Sequence, residues 1–460
     1  MIKKLVGDKQ FYKRLFALML PIMVQNGITN FVNMLDNVMI GAVGTEQMTG
    51  VAITNQLIFV FNLCVFGAVS GAGIFGAQYF GRKDYEGVHH TFRFKLIFSA
   101  VLAMLGIGIF ILFGENLLGL YMKGEAGITD IAATLYNAKS YLNIMLIGLV
   151  PFALVQSYSS TLREGGHPTL PMVAGIVAVV VNLVGNYILI FGKLGIAPLG
   201  VAGAATATVV SRFVELFIIV VFSHTKKEKY PFMKGALKSL YIPRRIALKF
   251  FVKSLPLIIN ETLWATGIAV INQCYSVYGL DAVAALNISQ TFWNVFSIAF
   301  IAVGSAIAII IGQLLGAGEM EEAKEQSGKL IAFSFAITVL VSAIYIPLAN
   351  YIPFIYNTAT EIRGLATTLM QITALAMPIE ATAHATYFIM RSGGKMVETF
   401  IFDCGFTWGA NVLAAFIISR FTAVPFVMLF AIIQFLALLK CVAGIIMVKS
   451  GFWIKNIISE

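Results

Sequence analysis

Two stretches of this chain repeat each other about 235 residues apart, inside a sequence made almost wholly of long apolar segments. Pro21 pairs with Pro256, Ser70 with Ser305, and Gln78-Tyr-Phe-Gly81 with Gln313-Leu-Leu-Gly316. Further on, Arg163-Glu-Gly-Gly166 recurs as Arg391-Ser-Gly-Gly394, at a spacing shortened by a loop difference. The chain is a duplicated bundle. Duplication on this scale within a membrane protein points to a transporter whose two halves work against each other around a central site.

Composition identifies the solvent. Hydrophobic residues make up 59% of the 460 and charged residues only 12%, far from the quarter-charged average of soluble domains. About 20 apolar residues cross roughly 30 Å of hydrocarbon. Twelve such spans can be counted, near 15–42, 50–79, 92–114, 131–155, 168–191, 198–223, 250–278, 282–312, 328–352, 364–390, 396–420 and 424–448. The expected fold is an all-α integral membrane protein of twelve transmembrane helices in two pseudo-symmetric six-helix lobes. Its expected domains are an N-lobe at 1–223, a basic cytoplasmic linker at 224–249 and a C-lobe at 250–460. The linker carries Lys226, Lys227, Lys229, Lys234, Lys238, Arg244, Arg245 and Lys249. Six spans in each half return the chain to its starting side, which makes the repeat parallel.

Lys and Arg concentrate in the N-terminus and in the loops after even-numbered spans. The opposite loops hold only Lys123, Lys139, Lys193, Arg363 and Arg420. The positive-inside rule puts both termini in the cytoplasm of a multi-pass protein of the plasma or inner membrane. The net charge of +10 follows from this asymmetry and reads as loops facing anionic lipid, not as nucleic-acid binding. Lys3, Lys4, Lys9, Lys13 and Arg14 lead into a span too long for a cleavable signal. Cys64, Cys274, Cys404 and Cys441 all fall within spans, without metal-type spacing, and read as small buried hydrophobes.

Ionisable residues inside the spans are costly and line a cavity or pair with something. On span 1, Gln25, Thr29, Asn33 and Asp36 fall along one side at helical spacing. At 1.5 Å per residue Asp36 lies roughly 31 Å from the cytoplasmic start of span 1, and Asn186 roughly 27 Å from that of span 5, so the two can meet. Asn182 and Asn186 share a face, and Thr208 comes down span 6. Asp36, Asn182, Asn186 and Thr208 form a hard-oxygen set suited to sodium or to a proton-binding carboxyl; a polar packing cluster is the competing reading. In the second half, Glu261 and Glu380 lie roughly 16 and 18 Å from the cytoplasmic surface. Two carboxylates at matching depth repel, so at least one is expected to hold a proton near neutral pH. His384, one turn beyond Glu380, either holds that proton or is an interior histidine. Arg212 and Glu215, three apart, are expected to pair. Asp403 and Lys440 are expected to snorkel. Polar stripes with Asn33, Asn55 and Asn62 in one half and Gln290, Asn294 and His384 in the other are candidates for lining a substrate cavity.

These motifs together resemble the MATE (multidrug and toxic compound extrusion) family, on its NorM-like branch. The resemblance is carried by Pro21 with Asp36-Asn-Val-Met-Ile-Gly41, Gln78-x-x-Gly81, Arg163-x-Gly-Gly and Gly200-Val-Ala-Gly203 leading to Thr208, then by Pro256 with Glu261, Gln313-x-x-Gly316 and Glu380 eleven residues before Arg391. Asp36, Glu261 and Glu380 match the essential acids of that branch, although Asp is usual where Glu380 stands. The resemblance implies a V-shaped pair of lobes around a central cavity, exporting organic cations or amphipathic drugs in exchange for sodium or protons. It implies no catalytic residues, no cofactor beyond the coupling ion, and partners limited to small organic substrates, the coupling cation and the bilayer, with the chain acting as a monomer. A lipid or oligosaccharide-lipid flippase of the wider superfamily is the alternative; it calls for a cationic cavity, whereas the candidate residues here are acidic. An intramembrane hydrolase would need a nucleophile-base or metal constellation, which His384 with Glu380 does not supply.

Overall fold

The computed structural model describes residues 5–122, 130–356 and 358–459, and all of their side chains except those of Asn33 and Tyr121. The chain is all-helical. In order it forms α1 (Lys9–Gly41), α2 (Thr45–Arg82), α3 (Tyr85–Met122), α4 (Ile131–Ile147), α5 (Leu149–Glu164), α6 (Thr169–Phe191), α7 (Gly200–Thr225), α8 (Arg244–Ser276), α9 (Leu280–Phe296), α10 (Ile298–Ala317), α11 (Met320–Leu348), α12 (Thr360–Ser392), α13 (Met396–Phe400), α14 (Leu413–Phe421) and α15 (Phe426–Lys449). Among the described residues, eleven helices are long and apolar enough to cross a membrane, and the bent pair α4–α5 makes a twelfth. Each answers to one expected span. Residues 401–412, between α13 and α14, continue the same span as π-helix.

The α4–α5 span bends by 48° at Gly148. A Cβ there would stand 3.1 Å from Val209 and 3.3 Å from the Arg212 side chain, so glycine admits α7 at close range. The Gly148 carbonyl accepts from the Phe152 N–H at 3.2 Å and takes a second donor from α7. Arg212 Nη1 donates to Gly148 O at 3.1 Å and its guanidinium lies 5.1 Å from the Phe152 ring centre. The expected Arg212–Glu215 pair does not close to ion-pair distance, although each group faces the other's charge and Glu215 also faces Arg163.

The helices gather into two compact units. One comprises Met1–Met23, Ala77–Asp84 and Ile259–Glu460, the other Val24–Gly76 and Tyr85–Ile258. The boundary passes inside α1 after Met23 and inside α8 after Ile258, two residues beyond Pro21 and Pro256 and at positions matched by the repeat. Small residues explain the exchange of helix starts. In the second unit a Cβ on Gly67 or Gly71 would come within 2.8 Å of the α8 backbone at Ile258 or 2.5 Å of it at Ser254. Their repeat counterparts, Ala302 and Ala306, share the first unit's core with Leu15, Met19 and Ile22 of α1. Small residues spaced by four let helices approach closely where lipid supplies no hydrophobic drive.

Both Arg-x-Gly-Gly turns are capped by the segment that follows the last span of their half. In the second unit the basic linker is folded, not slack. His89 Nε2 meets Phe232 O at 2.8 Å, Arg93 Nε donates to Ala236 O at 2.7 Å, and the His167 ring stacks on Phe232 with Tyr230 against its edge. Burial, and then the positive charge of Lys229, hold the His167 pKa below its ordinary value. In the first unit Trp453 is fully buried, its carbonyl packs on Gly393, and Gln78 bonds Ser392 O and Lys455 O at 3.1 Å and takes the Ile457 N–H at 2.9 Å.

Candidate functional site

In the second unit α6 and α7 form a tight hairpin. A Cβ on Gly203 would stand 2.6 Å from Leu189 O, and one on Gly185 would stand 2.9 Å from the Ala207 Cβ. This close crossing sets Asn182 and Asn186, a turn apart on α6, against Thr208 on α7. Asn182 Nδ2 donates to Thr208 Oγ1 at 3.1 Å. Asn186 Nδ2 donates to Asp36 Oδ1 of α1 at 2.6 Å and to Asn182 Oδ1 at 3.2 Å. The four residues expected from their depths are thus brought together. Asn182 and Asn186 are buried, and among the described residues no side-chain cation stands within ion-pair distance of Asp36.

One oxygen in this cluster lacks a donor and another sits among acceptors. Asn186 Oδ1 is buried without a hydrogen-bond partner. Asn182 Oδ1 stands 3.0 and 3.3 Å from the two Asp36 oxygens, and only a turned-over amide would place its nitrogen there, with Thr208 then donating to the amide oxygen. With the amide turned over, Asn182 donates to Asp36 and accepts from Thr208, and the contact needs no cation. The Asp36 carboxylate, the Thr208 hydroxyl and the donorless Asn186 Oδ1 are oxygens of the kind a small hard cation takes, and with Asn182 they are the groups that would hold one.

Tyr141 of α4 extends the cluster. It is buried and has Asn55 of α2, Thr208, Asp36 and Arg212 for neighbours. Sequence reasoning missed it because a phenol in an apolar span reads as core; the signal available was its shared face with Ala138 and Met145. Asn55, expected in a substrate cavity, joins this cluster. Asn62 keeps a buried, unpartnered Oδ1. The Asn33 side chain lies outside the described residues.

Deeper in the same unit, Arg163 Nη2 donates to Gln25 Oε1 at 2.6 Å. Lys95 of α3 pairs with Glu164 of α5 at 2.5 and 2.6 Å, sealed at 0% and 7% exposure. Gly73 and Gly76 make room for that carboxylate, since a Cβ on either would collide with it.

In the first unit the repeat reproduces the plan with different chemistry. Arg391 stands 3.9 Å from Glu261 and donates to the Tyr387 hydroxyl at 3.3 Å. Glu261 is one residue past Asn260, the counterpart of Gln25. Trp293 of α9 and Lys440 are the polar neighbours of Glu380. His384 packs between Phe300 and Phe388 over Gly304, where a Cβ would stand 2.8 Å away, and its Nε2 is buried without a partner. Gln290 Nε2 donates to Asn294 Oδ1 at 3.3 Å on an exposed face of α9. Asp403 and Lys440 do not snorkel apart. They pair at 2.5 Å, and Asn260 Nδ2 donates to the other Asp403 oxygen at 2.9 Å. Glu261 faces Asp403 in addition to Arg391, and Glu380 faces Lys440.

Comparison with known proteins agrees with this arrangement. The MatE family model matches the chain twice, over residues 21–188 and 256–417, starting at the two paired prolines. The probable multidrug resistance protein NorM of Thermotoga maritima is 25% identical over 417 residues, covering 89% of this chain and 86% of that protein. The probable multidrug resistance protein YoeA of Bacillus subtilis is 24% identical, covering 89% and 88%. Among solved structures, a MOP superfamily transporter from Pyrococcus furiosus superposes with a TM-score of 0.85 at 19% identity, covering 98% of this chain and 97% of the other. An outward-facing multidrug resistance MATE family transporter gives 0.85 at 18%, covering 97% of each. At these identities the structures speak for the fold. With the MatE model matching both halves of a duplicated twelve-span bundle, the chain belongs to the MATE family of membrane transporters, on its NorM-like branch, and is not an enzyme.

Proposed function

We propose that the protein is a secondary active exporter of organic, cationic or amphipathic compounds, driven by sodium- or proton-coupled antiport with alternating access of two lobes. The lobes are 1–223 and 250–460, joined by the linker 224–249; both termini are cytoplasmic, and the protein acts as a monomer. The observation that carries this reading is Asp36, a carboxylate deep in α1 whose hydrogen-bond partner is the neutral amide of Asn186. A carboxylate with no cation beside it must bind one or stay protonated. That makes it a group whose occupancy an ion gradient can set. Glu261 and Glu380 serve as the acids of the second half, where they meet cationic substrate or the coupling ion. The names of the multidrug resistance relatives support the substrate class.

Uptake of labelled tetraphenylphosphonium into everted vesicles, with sodium and pH gradients imposed separately, tests the reading. Accumulation driven by one gradient and lost in Asp36→Asn is expected. Equal uptake with neither gradient imposed would overturn it.

A further inference from the structure

We infer that Lys440 is a tethered counter-ion, holding Asp403 in the place that a monovalent organic cation takes, so that Asp403 and Glu261 form a cation-receiving site in the first unit. Four observations converge. First, the Lys440–Asp403 pair is not sealed. Its side chains are 18% and 16% exposed, against 0% and 7% for Lys95–Glu164, so it is the less enclosed of the two pairs. Second, Asn260 donates to Asp403 but leaves its own Oδ1 buried and without a partner. The residue is 1% exposed, and an acceptor orphaned at that depth calls for a donor or a cation.

Third, Asp403 lies in the π-helical stretch Ile401–Gly405, and such departures from α-helix are often found at functional sites. The repeat shows what has been added. At the 228-residue spacing of the two arginine motifs, Asp403 corresponds to Gly175 and Lys440 to Arg212. Gly175 lies against Gln25, where a Cβ would stand 3.1 Å from its amide nitrogen. The first unit therefore has a carboxylate where the other half has only hydrogen. Fourth, the charges do not balance. Glu261, Glu380 and Asp403 face two side-chain cations, Arg391 and Lys440, and the His384 ring, which adds a charge only when protonated. Fully ionised, the cluster holds one negative charge too many, and one monovalent cation completes it. Lys440 faces Glu380 as well as Asp403, while among the described residues Lys95 faces Glu164 alone.

This inference rests on the cation export proposed above, and the two can fail separately. Binding of tetraphenylphosphonium to the purified full-length protein is measured for wild type, Lys440→Met, Lys440→Arg and Asp403→Asn, each checked for folding by thermal unfolding. Removing the tethered cation should tighten binding about tenfold or more, as expected for a charge within several ångströms at an effective dielectric near 20. Lys440→Arg should stay near wild type, and Asp403→Asn should weaken binding by a comparable factor. A pair that only fastened α15 would lower the thermal midpoint of Lys440→Met and leave its affinity unchanged or weaker, and that result overturns the inference. If Lys440→Met does not fold, Asp403→Asn decides: unchanged affinity there overturns it. Absence of binding in every variant overturns it too. Vesicle exchange lost with Lys440→Met still tighter would sink the antiport reading and leave the site standing.

Discussion

Gly81 and Gly316 pack reciprocally. A Cβ on Gly81 would stand 1.9 Å from Gln313 O, and one on Gly316 would stand 1.9 Å from Gln78 O, so each Gln-x-x-Gly motif closes on the other. Neither backbone can retreat, because Gln78 is tied to Ser392, Lys455 and Ile457 and Gln313 accepts from Arg14 at 2.8 Å. Gly316→Ala should therefore cost about 3 kcal/mol or more, read as a lower thermal midpoint in detergent. Gly364→Ala, with nothing within 4 Å of the added methyl, is the control and should be neutral or slightly stabilising. Equal midpoints for the two variants would contradict the packing.

Asp36→Asn keeps the shape of the carboxylate and removes its charge. Gradient-driven accumulation should fall more than tenfold while substrate binding stays measurable, since a ligand that cannot distinguish two states cannot drive them. Asn186→Ala removes one neutral oxygen and should weaken the apparent affinity for the coupling ion by about 3- to 10-fold. Near wild-type accumulation by Asp36→Asn under either gradient would make Asp36 structural.

Glu261 and Glu380 are linked through a shared pair, since Glu261 faces Asp403 and Glu380 faces Lys440. Glu261→Gln and Glu380→Gln should each weaken export. The double variant should depart from additivity by about 0.5 kcal/mol or more. The departure should disappear in an Asp403→Asn, Lys440→Met background. Strict additivity in the wild-type background would mean that the two acids do not communicate.

His167 gives the linker cap a pH dependence. Its folded pKa is depressed by burial and by Lys229, so the neutral ring is the one that stacks on Phe232. The cap is at full strength above the ordinary histidine value of about 6.5 and weakens as pH falls below it toward the depressed folded value. Trypsin cleavage at Lys226–Lys238 in the folded protein should accelerate on acidification through that window. His167→Phe should flatten the profile; a profile identical to wild type would acquit His167.

What could be read in the sequence was whatever a single helix, or the repeat, carries alone. Spans follow from runs of apolar residues, and the duplication from Pro21 with Pro256 and Gln78 with Gln313. The Asp36–Asn186 contact followed from rise per residue, because depth in a membrane is nearly a one-dimensional coordinate. Which helices are neighbours, and how each is rotated, is not one-dimensional. Arg212 was expected on Glu215 by helical spacing, yet it donates to the Gly148 carbonyl at the bend of another span. Tyr141 entered the Asp36 cluster, and Asn260 joined Asp403 to α8, through packing that no periodicity encodes. The exchange of helix starts between the two units was equally out of reach. Gly67, Gly71, Ala302 and Ala306 mark close approaches, but small residues say only that some backbone comes near. The tertiary structure alone decided which one, since that depends on every other surface being matched at once.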